Sequence, residues 1–127
     1  RLQLGFSLWE LDGSSRSTPS AIVRCIEEGG NVVVGPTTTP QTESAMLLAN
    51  VYDVPVVGYA SSSTLFSNQD VYGNYARSFP SDEVKVEALI QLFSFMGWEQ
   101  IAVLYTPTAY GFSLEESLTS SARRQNI

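Results

Sequence analysis

The chain has 127 residues with 13 acidic against 7 basic side chains, and its net charge of −6 comes without the basic stripe that binds nucleic acid. No apolar run approaches the ~20 residues of a membrane-spanning helix. Histidine is absent and Cys25 is the only cysteine, which excludes an internal disulfide, Ser-His and Cys-His nucleophile pairs and most metal sites. We therefore expect no catalytic residues, no metal, no cofactor and no nucleic-acid partner.

Strand-like and helix-like patterns alternate along the chain. In chain order we predict strand 2–9, helix 19–28, strand 31–35, helix 40–51, strands 54–58 and 75–79, a helix from Pro80–Glu83 to Gly97, strand 100–105 and helix 110–124. Thr18 suits the N-cap of the first helix and Pro19 its first position. The β-branched run at 31–35 is typical of a strand buried on both faces.

This alternation predicts an α/β fold, a largely parallel sheet with helices on its faces. A strand–strand step interrupts the regular alternation near 78–81, so the chain can leave one sheet there and enter another. The third helix is expected to pack through an apolar face made of Val84, Ala88, Leu89, Leu92 and Phe93.

Four polar features come after strands and at or near helix starts: Thr37–Thr39, Ser61–Ser63, Asp82 and Tyr110. In open α/β sheets the ligand crevice lies outside the carboxyl ends of the strands, where helix N-termini also present free amide hydrogens. Hydroxyls beside such amides suit a carboxylate, Asp82 can oppose an ammonium, and the face of Tyr110 can cover that cation. The set favours a zwitterion of the α-amino-acid type.

Each feature also has a purely structural interpretation. Thr39 before Pro40 is a good N-cap, and Ser61–Ser63 can be a polar turn. Asp82 in a first helical turn is favoured by the helix dipole, and Tyr110 can pack against its neighbours. Arg77 is expected to pair with a carboxylate rather than with a ligand.

The sequence resembles the type I periplasmic-binding fold, and within it the ligand-binding region of metabotropic glutamate and GABA receptors, natriuretic-peptide receptors and bacterial branched-chain amino-acid-binding proteins. The resemblance covers essentially the whole chain and rests on the stretches VVVGPTTT, YDVPVVGYASSSTLFS, YARSFPSD, MGWEQIAVLY and AYG. It implies a two-lobed clamp of which this chain is a fragment, with 1–79 in lobe one and 80–127 at the start of lobe two.

The resemblance also implies roles for five residues. Thr39 and Ser62 match the hydroxyls that hold a ligand carboxylate, and Ala60 matches a backbone contact. Asp82 of the PSD motif matches the residue that meets the ammonium, and Tyr110 matches the tyrosine of the family's YG step. One departure is the bulkier threonine loop, where small Gly and Ser residues are usual.

The functional expectation is a non-enzymatic sensor: the extracellular ligand-binding segment of a G protein-coupled, metabotropic type of membrane receptor. Its partner would be an amino-acid-like small molecule, with the membrane reached through regions outside this segment. The resemblance further implies homo- or heterodimers through the helices at 19–28 and 40–51. A periplasmic binding protein of a transporter and the ectodomain of a receptor cyclase are same-fold alternatives. A serine hydrolase or transferase is disfavoured by the absence of histidine and of a G-x-S-x-G elbow.

Overall fold

A computed structural model describes residues 5–125 and has the predicted α/β architecture. Within this range the elements are α1 (Thr18–Glu27), β1 (Val33–Val34), α2 (Thr39–Tyr52), β2 (Val56–Gly58), a 3₁₀ turn (Thr64–Ser67), β3 (Tyr75–Arg77), α3 (Asp82–Met96) and α4 (Ala109–Arg124). The four predicted helices are confirmed to within a few residues. Across 5–125, every helix is too short or too polar to cross a membrane.

The three strands form one parallel sheet in the order β1-β2-β3. Val56 at the start of the central strand lies opposite Val33 on one side and Tyr75 on the other. Because all three strands point the same way, the loops that follow them emerge at one edge of the sheet. These loops carry the candidate hydroxyl and carboxylate groups.

Two apolar clusters form the core. The first packs helix α2 onto the central strand and the 3₁₀ turn, and its buried members are Met46, Ala49, Val56, Phe66 and Tyr75. The Phe66 ring lies 4.8 Å from that of Tyr75 and 5.1 Å from that of Tyr72. The second cluster joins α3 to α4 through Val86, Ile90 and Ala122.

Two predicted strands are wrong in whole or in part. Residues 5–9 of the strand expected at 2–9 have no ladder partner, and 2–4 lie outside the described residues. Trp9 instead lies beneath the guanidinium of Arg24, 4.5 Å from the ring centroid. The segment 100–105 is also unpaired with any strand that the structure describes. A strand requires a partner to complete its hydrogen bonds, and an alternating pattern does not supply one.

Two packing expectations are corrected as well. In the sheet formed by residues 5–125, β1 lies at the edge, and Val34 is 70% exposed rather than buried on both faces. Helix α3 buries Val86 and Ile90, whereas Val84 and Leu89, on the face expected to pack, are exposed. A helix with apolar residues all round does not reveal in sequence which face its neighbour covers.

The start of α1 is displaced by one residue from the prediction. Ser17 occupies the N-cap and Thr18 is the first helical residue, followed by Pro19. The Ser17 hydroxyl donates to the Asp12 carboxylate at 2.6 Å, which ties the preceding loop to the helix.

Candidate functional site

The loop after β1 places Thr39 as the first residue of α2, where it is buried. The N-cap is Thr38, whose amide and hydroxyl both donate to Oε1 of Gln41, at 3.4 and 2.9 Å. The capping role considered for Thr39 therefore belongs to its neighbour. The Thr39 side chain is left to interact with the next loop.

Thr39 meets the loop that follows the central strand. Its Oγ1 lies 3.3 Å from Oγ of Ser61, and all three serines of Ser61–Ser63 are buried. A turn exposed to water would leave such hydroxyls solvated, so this is a packed polar cluster and not a simple surface turn. The family resemblance assigns a ligand-binding role to Ser62 of this loop, and the contact with Thr39 is made by its neighbour Ser61.

Ser62 instead joins the loop to Asp82 at the start of α3. Its hydroxyl donates to Oδ2 of Asp82 at 2.9 Å, and its carbonyl accepts from the Asp82 amide at 2.9 Å. The other carboxylate oxygen, Oδ1, accepts from Nζ of Lys85 at 2.7 Å. Side-chain contacts thus link three loops at one edge of the sheet. The threonine loop contacts the serine loop, and the serine loop contacts Asp82.

Arg77 fixes the shape of the serine loop from the end of β3. Its Nη1 donates to the carbonyls of Ser62 and Ser63, at 3.3 and 2.9 Å, and its Nη2 donates to the Ser67 hydroxyl at 2.7 Å. The expected pairing of Arg77 with a carboxylate is wrong. A planar guanidinium is well suited to bridging acceptors on two different turns of chain.

Tyr75, in strand β3, also stabilises the serine loop. Its hydroxyl donates to the Ser61 carbonyl at 3.1 Å, and burial raises the pKa of this hydroxyl above its ordinary 10.0. The ring passes so close to Gly58 that a Cβ at Gly58 would overlap it. Glycine at the end of the central strand is therefore a steric requirement of the loop above it.

Ala60 and Tyr110 lie at the border of this cluster. Ala60 is exposed at the beginning of the serine loop, and Tyr110 is 39% exposed in the first turn of α4. No side-chain hydrogen bond of the described residues joins Tyr110 to Thr39, Ser62 or Asp82. One helical turn later, Ser113 contacts the hydroxyls of Ser63 and Thr64 at 2.9 and 2.8 Å, which brings the start of α4 beside the serine loop.

A polar cavity of about 410 Å³ lies next to this cluster, between α3 and α4. It is bordered by Thr64, Ser113 and three glutamates of the two helices, and none of the five predicted site residues lines it. No group of three or more metal-ligating side chains is found within residues 5–125.

Comparison with known proteins identifies the family of the chain. The family model for the receptor family ligand binding region matches residues 2–127. The chain belongs to this family. The sequence-based assignment of fold and family is therefore confirmed, and the parallel three-stranded sheet agrees with it.

Curated relatives of this receptor-family segment are receptors by name. G-protein coupled receptor family C group 6 member A of Carassius auratus is 27% identical over 95 residues, which cover 75% of this chain and 11% of that protein. Taste receptor type 1 member 1 of Homo sapiens is 30% identical over 95 residues, with the same coverage. The extracellular calcium-sensing receptor of Homo sapiens is 27% identical over 95 residues, 75% of this chain and 9% of that protein. The segment thus spans about a tenth of the length of the relatives it matches.

Two residues of the cluster were not predicted to serve the site, Lys85 and Arg77. Lys85 stands three positions after Asp82, a spacing that makes two helical side chains neighbours, so their ion pair was readable from sequence. The contacts of Arg77 with the loop carbonyls could not be predicted from the sequence, because every residue has a backbone carbonyl and the side chains do not show which carbonyl accepts a hydrogen bond.

Proposed function

We propose that this chain is part of the extracellular ligand-binding region of a membrane receptor that senses an amino acid or a related zwitterion. The observation that supports it best is the pair of contacts linking three loops, Thr39 to Ser61 and Ser62 to Asp82. They bring hydroxyls of two loops, the N-terminus of α2 and one carboxylate to the same edge of the sheet. A small ligand with a carboxylate and an ammonium needs these groups together.

In this proposal the two ends of the ligand meet different parts of the cluster. The hydroxyls of Thr39 and Ser62 and the backbone of Ala60 bind the ligand carboxylate, helped by the positive end of α2, and the Ser62 hydroxyl turns away from Asp82 to do so. Asp82 binds the ammonium, and Tyr110 covers it with its ring face. Each end of the ligand thus meets groups of opposite charge or partial charge.

The proposal also assigns the two sides of the cluster to two lobes, with 1–79 in lobe one and 80–127 in lobe two. Asp82, Tyr110 and Ser113 then belong to the second lobe, and the contacts of Ser113 with Ser63 and Thr64 cross between lobes. A ligand held by residues of both lobes favours their closed arrangement, which is the signalling step.

Dimerisation through α1 and α2 is part of the same proposal. Leu47 and Val51 lie one turn apart on α2 and are both largely exposed, which leaves an apolar strip available to a second chain.

Calorimetric titration tests the ligand class. The intact ligand-binding region containing this chain is titrated with each of the twenty standard amino acids, beside Asp82→Asn and the control Glu83→Gln. Glu83 is an exposed carboxylate in the same helical turn, so its variant removes the same charge outside the cluster. Asp82→Asn is expected to weaken binding about 10- to 100-fold, the value of a hydrogen bond to a charged group, while Glu83→Gln leaves it unchanged.

A further inference from the structure

Lys85 is the only lysine of the chain, and it makes the only salt bridge found in the part of the chain that the structure describes. Its partner, the Asp82 carboxylate, has both oxygens engaged, one by Lys85 and one by the Ser62 hydroxyl. The Asp82 side chain is 2% exposed. A buried carboxylate is strongly unfavourable without a counter-charge, and Lys85 supplies it.

Lys85 is the movable member of this pair. Its side chain is 54% exposed, whereas Asp82 is held by Ser62 through both a side-chain and a backbone hydrogen bond. The ammonium sits on a flexible four-carbon stem that can turn into water without disturbing the helix. Separation of the pair costs little when another cation takes the place of Lys85, because the buried carboxylate then keeps a counter-charge.

We infer that Lys85 holds, in the ligand-free protein, the position at Asp82 that the ammonium of the ligand takes, so that binding is an exchange of one ammonium for another. This inference rests on the proposed function and adds to it a residue that determines affinity and specificity. The exchange keeps the buried carboxylate neutralised at every stage. A ligand without an ammonium leaves Lys85 in place and gains nothing from Asp82.

The exchange predicts that removal of Lys85 strengthens binding. In Lys85→Met the competing cation is gone, and the amino acid that binds the wild-type region most tightly is expected to bind about two- to fivefold tighter, the range of an exposed ion pair. Its deaminated analogue, the same acid without the amine, is expected to gain nothing. Arg16→Met is the matched control, since it removes one positive charge from an exposed side chain in the loop before α1.

Nitrogen-15 NMR of the lysine ammonium provides a readout in the wild-type protein that does not depend on whether Lys85→Met folds. The Lys85 signal, assigned by its loss in Lys85→Arg, is expected to shift to the position of a water-exposed lysine as the amino acid saturates the site. If the salt bridge has only a structural role, the Lys85 signal will keep its position when the amino acid is added.

The outcomes separate the two proposals. If no amino acid binds either the wild type or Lys85→Met, the proposed function fails and the exchange with it. If amino acids bind and Asp82→Asn weakens them, but Lys85→Met binds no tighter and the Lys85 signal stays in place, the proposed function stands and the exchange is overturned.

Discussion

Replacement of Arg77 by Met removes the side chain that shapes the serine loop. Three hydrogen bonds are lost, to the Ser62 and Ser63 carbonyls and to the Ser67 hydroxyl. A hydrogen bond to a charged group contributes ~1.5–3 kcal/mol, but the guanidinium is half-buried and Ser67 is exposed, which reduces the sum. We expect the free energy of unfolding to fall by about 2–3 kcal/mol, and ligand affinity to fall with it because Ser62 loses its place beside Asp82.

Urea unfolding of the intact region measures the loss, with Arg77→Lys and Arg16→Met as controls. A lysine ammonium is a single point that cannot span both turns of the loop, so Arg77→Lys is expected to lose about half as much. Arg16→Met changes an exposed side chain and should stay within ~0.5 kcal/mol of wild type. The reasoning is refuted if Arg77→Met is as stable as Arg16→Met, or if Arg77→Lys restores the full stability.

Two further predictions concern the support of this loop. Gly58→Ala places a methyl group against the Tyr75 hydroxyl and should lower the free energy of unfolding by about 1–3 kcal/mol, measured with urea. Gly5 has open space around it, so Gly5→Ala should change the free energy of unfolding very little. Equal losses in the two variants would contradict this prediction. Tyr75→Phe removes the bond to the Ser61 carbonyl and should cost ~0.5–1.5 kcal/mol at pH 7. Because burial raises the pKa of the Tyr75 hydroxyl above 10.0, its stabilising effect is complete below pH 10 and is lost as the pH rises through the raised value. The wild type should therefore lose its advantage over Tyr75→Phe as the pH rises above 10, and a constant difference in the free energy of unfolding would show that Tyr75 does not titrate in this way. Tyr72, whose pKa burial also raises, remains in both proteins.

The predictable part of the fold is what local chemistry decides. Single residues signal the helix starts near Pro19 and Pro40 and the helix stop at Gly97, and α1, α2 and α3 begin or end within one residue of these signals. Strands depend on distant partners instead. The run at 100–105 has strand composition, yet it pairs with none of the strands within 5–125.

The sequence predicts which loops form the site, but it does not predict which residue of each loop makes which contact. Three consecutive threonines leave the N-cap ambiguous by one residue, and only the structure shows that Thr38 caps while Thr39 turns inward. Likewise, three consecutive serines do not reveal that Ser61 faces Thr39 and Ser62 faces Asp82. Neighbours in a loop can point in opposite directions, and tertiary contacts decide which.

The most direct test of the central claim is titration of the intact ligand-binding region with the twenty amino acids, wild type beside Asp82→Asn. The account predicts saturable binding of at least one amino acid, weakened about 10- to 100-fold by the loss of this one buried charge. Absence of binding by every amino acid, or equal binding to the two proteins, would contradict it.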